Sequence, residues 1–310
     1  MSLARRLLLR MSVSPFLARQ MSDRPTIQRA VRRFMPGEKL SDAVEASGTL
    51  RSAGLRTILT LLGENVETPE DAMDVVDAYA AAIEAIAEAG LPSDLSVKPT
   101  HLGLDLGLEV AEAGLREVVS RAGAAGRLVA IDMEASEYLE DTLELYRRLR
   151  ADHVNVGLCL QAYLYRTKDD LAALLPLRPM IRLVKGAYRE PESVAWPRKS
   201  DVDAAYLARA GELLDAVAKD PEVRVAFGTH DAAMIAGVQE MARERGLERD
   251  AFEIQMLYGI RRDVQRELAA EGYVVRILIS YGSHWFPWYM RRLAERPANV
   301  WFVAKSMFSS

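Results

Sequence analysis

The chain has one cysteine in 310 residues, Cys159, so it can have neither an intramolecular disulfide framework nor a thiolate zinc cage. The neighbours of that cysteine, Val156, Gly157, Leu158 and Leu160, mark it as a buried, inert thiol. No apolar run reaches the roughly 18 residues that a membrane-spanning helix needs. Positive charge is not in excess: 40 Lys and Arg face 44 Asp and Glu, and a net charge of −4 leaves no basic footprint for nucleic acid. No Gly/Ser-rich linker or low-complexity segment interrupts the chain, which favours one domain. No G-x-G-x-x-G loop follows the first apolar segment, which weighs against a doubly wound dinucleotide fold.

What is present is ordinary globular material. Half the residues are hydrophobic and 27% are charged, with length enough for one large α/β domain or two small ones. The first twenty residues carry Arg5, Arg6, Arg10 and Arg19 among leucines and serines, a composition shared with transit peptides. The same Leu/Arg periodicity continues through Ile27–Phe34 without a small-residue cleavage site. A basic amphipathic helix on the outside of the domain is therefore the preferred reading. Up to Thr49 the sequence suggests two or three short helices punctuated by Pro15, Pro25 and Pro36. Residues 1–50 are expected to form an N-terminal helical segment packed on the domain formed by 51–310.

From Thr57 a regular alternation begins. Strand-like runs at Thr57–Leu62, Leu95–Val97, Leu128–Ile131, Val154–Ala162, Met180–Val184, Val223–Phe227, Phe252–Met256 and Val274–Ile279 alternate with helical spacings. The helical segments are Pro69–Ala89, Gly107–Ala124, Glu137–Arg150, Asp169–Leu175, Asp201–Ala218, Ala232–Arg245, Arg262–Ala270 and Trp285–Glu295. Eight strand–helix units in a row predict an α/β fold of the (β/α)8 TIM-barrel type with additional N-terminal helices.

In such a barrel the functional site lies at the C-terminal strand ends. Those ends carry Glu64, Lys98, Asp132 with Glu134, Gln161 with Tyr163, Arg182 with Lys185 and Tyr188, Thr229 with His230, Gln255, and Tyr281 with His284. One polar strand end is commonly just solvated, but eight converging on one mouth point to a ligand site. The stretch Ile181–Tyr188 stands out because Arg182 and Lys185 interrupt an apolar run, and a buried cation needs an anionic or strongly accepting partner. Gly186 and Ala187 would let a planar or phosphorylated ligand approach the backbone. The plainer alternative is a strand end whose cations reach out to solvent. On the last helix Trp288, Arg292 and Glu295 share a face bordered by Arg291, and an arginine pair beside aromatic residues suits a small carboxylate.

These segments together resemble the proline dehydrogenase (proline oxidase) family, in its monofunctional bacterial form. The resemblance rests on Leu62-Gly63-Glu64, Ser96-Val97-Lys98, Ile131-Asp132-Met133-Glu134, Gln161-Ala162-Tyr163, Arg182 through Tyr188, Thr229-His230, Phe252-Glu253-Ile254-Gln255 and Trp288 through Glu295, in the family's order. It implies non-covalent FAD across the barrel mouth and no metal. Arg182 would lie at the flavin N5 edge, Gln161 on the ring system, and Met133 against the cofactor. Lys185, Gly186 and Ala187, with Thr229 and His230, would line its ribityl and phosphate portion, and Gln255 its adenine side. Asp132 and Arg182 would be catalytic. Lys98, Arg291 and Arg292 would clamp the carboxylate of L-proline, with Tyr188, Tyr281, Glu295 and Glu64 shaping the pocket and Glu64 pairing with Arg291.

The implied reaction is oxidation of L-proline to Δ1-pyrroline-5-carboxylate, with electrons passed to a quinone. The expected partners are proline, the quinone and, transiently, pyrroline-5-carboxylate dehydrogenase, with no nucleic acid. The expected location is the cytoplasm, with peripheral contact at the inner face of the cell membrane admitted. Two positions depart from the family pattern: Trp288 stands where many relatives have tyrosine, and Asp231 where asparagine is frequent. The first bears on substituted prolines; the second is read as silent. The rival enzyme reading is a Schiff-base aldolase using Lys98 or Lys185. A non-enzymatic docking role for the basic N-terminus would leave the rim residues unexplained.

Overall fold

The computed structural model describes residues 31–286, 289 and 290. Eight strands, all paired in parallel, close into a barrel in simple sequence order. They are β1 (Arg56–Leu61), β2 (Ser93–Val97), β3 (Val129–Ile131), β4 (Val156–Gln161), β5 (Met180–Val184), β6 (Arg224–Gly228), β7 (Glu253–Leu257) and β8 (Val274–Tyr281). The last strand closes the barrel on the first, with Arg56 opposite Arg276 and Leu61 opposite Tyr281. The described helices are α1 (Leu40–Arg51), α2 (Pro69–Glu88), α3 (Leu108–Ala124), α4 (Leu139–Asp152), α5 (Thr167–Leu174), α6 (Lys199–Lys219), α7 (Ala232–Glu244) and α8 (Arg262–Ala270). The predicted barrel is therefore the observed one. Residues 1–30 of the expected N-terminal segment, and most of the predicted final helix, lie outside the described residues; Trp285, Phe286, Tyr289 and Met290 of that helix are helical and buried.

Local chemistry sets the element ends. In α2 the Thr68 side chain accepts from the Asp71 amide at 3.1 Å, Pro69 occupies the first turn, and Gly90, with φ of +59°, follows the helix end. In α4 the predicted stripe of Leu139, Leu143, Tyr146 and Leu149 is buried throughout. Strand β4 begins two residues later than its apolar content suggests, because Val154 is 83% exposed. Beside it, the Asn155 amide donates to the carbonyls of Val119 (2.9 Å) and Arg127 (3.0 Å), so these two residues form an anchored turn.

The main core lies between the sheet and the helices, from alternate strand residues such as Leu59, Leu95, Val97, Ile131, Leu158, Ile181 and Phe227. The other alternation faces the barrel interior. There Ile58, Leu128, Ala130, Met180 and Ala226 form a small apolar cluster with Leu278 packed against it. The interior also holds two ionic clusters, each of which joins at least one pair of strands that are not neighbours in the sheet. One lies toward the N-terminal strand ends and the other at the C-terminal mouth.

Helix α1 packs on β1 and β8. The segment before it is tied to the chain after β8, where the Trp285 indole donates to Glu38 Oε1 at 2.8 Å. Among the described residues, no helix is long and apolar enough to cross a membrane.

Candidate active site

Strand β2 delivers Ser96 and, just past its end, Lys98 on the same face, two residues apart. The chain leaving β3 delivers Asp132, and β5 delivers Arg182. Lys98 Nζ donates to Asp132 Oδ2 at 3.0 Å, while Ser96 Oγ donates to Oδ1 at 2.9 Å. The Arg182 guanidinium bonds the same Oδ1 through Nη2 and reaches Ser96 Oγ at 3.1 Å. Side-chain exposures of 18% for Lys98, 15% for Asp132 and 5% for Arg182 place the cluster almost out of water. One carboxylate thus sits between two cations.

The protonation states follow from that count. Burial pushes the Asp132 carboxyl up, but Lys98 and Arg182 together outweigh it and hold it below the ordinary carboxylate range. Burial likewise works against the Lys98 ammonium, yet Asp132, with smaller help from Tyr188, Glu64 and Glu134, keeps it charged well above the usual lysine range. Tyr188 and Glu64 therefore belong to the same electrostatic neighbourhood as the Lys98–Asp132 pair. Glu134, buried and raised by burial, accepts from the Thr100 amide (2.9 Å) and hydroxyl (2.7 Å), and so anchors the turn that follows Lys98.

The cluster is polar but incompletely satisfied. Arg182 Nη1, Gln161 Oε1, Gln255 Oε1 and the Tyr281 hydroxyl are buried without a hydrogen-bond partner. Gln161 Nε2 donates to the Met133 carbonyl at 3.0 Å, which fixes the amide so that its oxygen is the free end. Gln255 Nε2 donates to Glu253 Oε2 at 3.0 Å, and the same reasoning leaves its oxygen free. An orphaned buried polar group costs about 1–3 kcal/mol, and these atoms have the chemistry to meet a polar ligand at the mouth.

Lys185 at the end of β5 is not bare. Its ammonium lies between Asp203, on α6, and Asp231 Oδ2, the latter at 2.8 Å, and Lys199 joins both carboxylates. Asp231, read as silent from the sequence, is therefore engaged twice: Oδ2 pairs with Lys185, and Oδ1 caps α7 by accepting from the Ala233 amide at 3.1 Å. Gly186 has φ of +119°, and a Cβ there would lie 2.4 Å from the Tyr163 ring. The Tyr163 ring thus fills the side of Gly186 where a Cβ would point. Ala187 is exposed and Tyr188 half-buried. Beside them a cavity of about 1050 Å³ is lined by Lys185, Gly186, Tyr188, Trp196, Lys199 and Asp203, among others.

Thr229 accepts from the Asp231 amide at 3.1 Å, and His230 Nε2 accepts from the Leu257 amide at 2.8 Å. Met133 is buried at the mouth. Arg291, Arg292, Glu295 and Trp288 lie outside the described residues, and with them the expected pairing of Arg291 with Glu64. Ser96 is a partner that the sequence does signal, since its spacing of two from Lys98 on a strand puts both on one face. Asp203, Lys199 and Trp196 come from a distant helix and loop and carry no local signal in the sequence.

A closed eight-stranded barrel with a desolvated, under-satisfied charge cluster at its C-terminal mouth defines a barrel enzyme whose ligand contacts come from the strand ends. The comparisons narrow this class. The family model described as proline dehydrogenase matches residues 43–305, and the chain belongs to the proline dehydrogenase family. It is 40% identical over 277 residues to proline dehydrogenase 1 of Bacillus subtilis, covering 89% of this chain and 90% of that one. To proline dehydrogenase of Deinococcus radiodurans it is 39% identical over 305 residues, covering 92% and 95%. The crystal structure of proline utilization A from Bdellovibrio bacteriovorus superposes with a TM-score of 0.83 over 94% of this chain at 22% identity, a likeness of fold. A Bradyrhizobium japonicum proline utilization A variant gives 0.73 over 94% at 28% identity. This chain spans about a third of the length of those larger proteins, 36% and 34%.

Proposed function

We propose that this proline dehydrogenase family member oxidises L-proline to Δ1-pyrroline-5-carboxylate with a non-covalent FAD and passes the electrons to a quinone. The observation that carries the reading is the Lys98–Asp132–Arg182 cluster, in which Arg182 Nη1 makes no hydrogen bond, together with the likewise unpaired Gln161 Oε1 on the neighbouring strand. A flavin ring edge presents both hydrogen-bond acceptors and an N–H donor, and these two groups have the complementary chemistry. The cavity next to Lys185, with Trp196 in its wall, provides volume for an extended dinucleotide. A covalent tether finds no support in the nearest candidates. The Cys159 thiol is buried and pushed up by burial, and His230 Nε2 is occupied by a backbone amide.

When bound, the flavin supplies a two-electron acceptor for hydride leaving the ring carbon next to nitrogen. The protein's contribution is orientation and charge. Asp132, ionised and surrounded by donors, is an acceptor only; its work is to fix Lys98 and Arg182 rather than to donate a proton. Lys98 stays charged and can hold the proline carboxylate, together with Arg291 and Arg292. Arg182, held by Asp132 and Ser96, can place its free Nη1 where negative charge accumulates on the acceptor. Tyr188, Tyr281, Glu64 and Glu295 shape the pocket. Lys185 would meet the cofactor phosphates as one member of a four-charge network with Asp203, Asp231 and Lys199. Transient contact with pyrroline-5-carboxylate dehydrogenase, and peripheral contact with a membrane from a cytoplasmic location, belong to the same proposal.

The test is direct. The purified protein is expected to be yellow, to release all its flavin on acid precipitation, and to lose its flavin absorbance on anaerobic addition of L-proline. Flavin retained in the pellet would contradict non-covalent binding. A colourless protein that borohydride traps on a lysine would favour the Schiff-base reading.

A further inference from the structure

We infer that the cleft between the N-terminal segment and the turn after β7 is a second binding site, for a phosphate-class anion. The cleft encloses about 580 Å³ and is lined by Arg32, Arg33, Gly259, Arg261, Arg262 and Asp263. Four arginines and one aspartate line it. Several other surface arginines are neutralised locally, among them Arg116 by Glu112 and Asp152, Arg121 by Glu117, Arg166 by Glu140 and Asp170, and Arg178 by Asp220 and Glu222. Others, such as Arg51, Arg150 and Arg249, meet backbone carbonyls instead, and what sets the cleft apart is that four arginines gather in it. None of the four arginines in the cleft has a salt-bridge partner among the described residues.

The contacts they do make hold them in place without cancelling charge. The Arg33 guanidinium lies 6.0 Å from the Phe34 ring centroid, and that of Arg262 lies 5.4 Å from the Tyr258 centroid. Arg261 Nη1 donates to the His230 carbonyl at 3.1 Å. Arg261 also has φ of +51°, a left-handed conformation that a side-chain-bearing residue adopts at a cost, and it lines the same cleft.

The two walls are brought together by Gly259. It has φ of +78°, and a Cβ there would lie 1.7 Å from the Arg33 carbonyl oxygen, so only glycine permits the two backbones to approach. The turn after β7 is thus built to carry Arg261 and Arg262 against Arg32 and Arg33, which repel one another unless an anion is shared. Planar guanidiniums bind phosphate oxygens in pairs, and the first turn of α8, which starts at Arg262, adds the positive end of its dipole. The shared chemistry is a phosphate group, carried by a small free molecule or by a lipid headgroup. The expectation stands apart from the flavin reading, because none of these six residues belongs to the proposed flavin or proline contacts.

The experiment uses the full chain as purified, in phosphate-free buffer, with flavin content and proline turnover recorded alongside. Pyrophosphate is titrated calorimetrically into the native protein and into an Arg33→Ala/Arg262→Ala double variant. A parallel arm measures cosedimentation with phosphatidylglycerol and with phosphatidylcholine vesicles. A one-to-one, salt-sensitive pyrophosphate isotherm that weakens roughly tenfold or more in the double variant supports a soluble ligand. Arginine-dependent sedimentation with phosphatidylglycerol alone supports a lipid headgroup. In both cases flavin content and turnover stay at the native level, and an Arg33→Lys/Arg262→Lys variant recovers part of the binding. Neither pyrophosphate nor vesicle binding, binding unchanged by the double variant, or flavin lost from both the alanine and lysine variants would overturn the second site.

Discussion

The barrel interior holds two ionic clusters, and they differ in how completely they are satisfied. Toward the N-terminal strand ends, Arg276 uses every nitrogen: Nε and Nη2 each reach a Glu253 oxygen at 2.8 Å, while Nη1 reaches the Thr57 carbonyl at 3.1 Å and Asp94 Oδ2 at 2.8 Å. Asp94 Oδ1 takes the Leu128 amide at 3.0 Å, and Glu253 Oε2 also takes Gln255 Nε2 at 3.0 Å. Two acids and one buried arginine close on themselves. At the mouth the count is reversed, with one acid between two cations, and Arg182 Nη1 is left over. The closed cluster organises strands, and the open one is prepared for something absent from the chain. Burial alone therefore does not separate the two clusters; the unpaired Arg182 nitrogen does.

This contrast can be broken from either side. Glu253→Gln at the closed cluster leaves Arg276 buried with a weakened partner, a class of change that costs about 3–5 kcal/mol. The loss should appear in chemical denaturation, with proline turnover per folded molecule unchanged. Arg276 outweighs the effect of burial and holds Glu253 below its ordinary value. Its stabilisation is therefore complete above the ordinary carboxylate range and is lost as pH falls through the lowered folded value.

Gly186→Ala should have the next largest effect. It combines a left-handed φ with a Cβ driven into the Tyr163 ring, and a cost of about 1–3 kcal/mol is expected for that class of strain. Because the strain falls at the end of β5, flavin affinity measured by dialysis should fall along with stability. A variant with native flavin content and native stability would show that the tight approach is dispensable.

The smallest effect belongs to Asp231→Asn. Asparagine can still cap α7, so only the ion pair with Lys185 is lost, worth about 0–1 kcal/mol for a partly exposed network. The hydrogen bond from Lys185 is the largest influence on the Asp231 carboxyl and helps pull it down to about 2 from 3.8. The native protein should therefore keep this contribution above about pH 4 and lose it toward pH 2, whereas the variant's stability should lack that increment. Thermal melts of both proteins across that range would sharpen the distinction between a structural tether and a cofactor contact at Lys185.

Much of the architecture was legible in the sequence because a parallel barrel writes itself as repeated apolar runs of strand length between helical stripes. The strand ends were predictable to within two residues. The two-residue start error at Val154 arose because a valine in an anchored turn looks the same as a valine in a strand. The charged rim was legible for the same topological reason: once eight strands are placed, their C-terminal residues must meet. What could not be read was connectivity across the barrel. Nothing local in the sequence joins Arg276 to Asp94 and Glu253, or Lys185 to Asp203, since these contacts depend on which interior positions face each other after closure. Gly186 could be read as special from its type, but the Tyr163 ring that requires it arrives from another strand.

The most direct measurement of the central claim sets the two clusters against each other. Flavin reduction by saturating L-proline is followed by anaerobic stopped flow, normalised to bound flavin, in Asp132→Asn and in Glu253→Gln. Asp132→Asn is expected to slow reduction by about a hundredfold or more, the scale seen when a charge-positioning group is lost from an active site, while Glu253→Gln is expected to reduce at the native rate. Equal rates in the two variants, or slowing confined to Glu253→Gln, would contradict the assignment of the open cluster to function and the closed one to the fold.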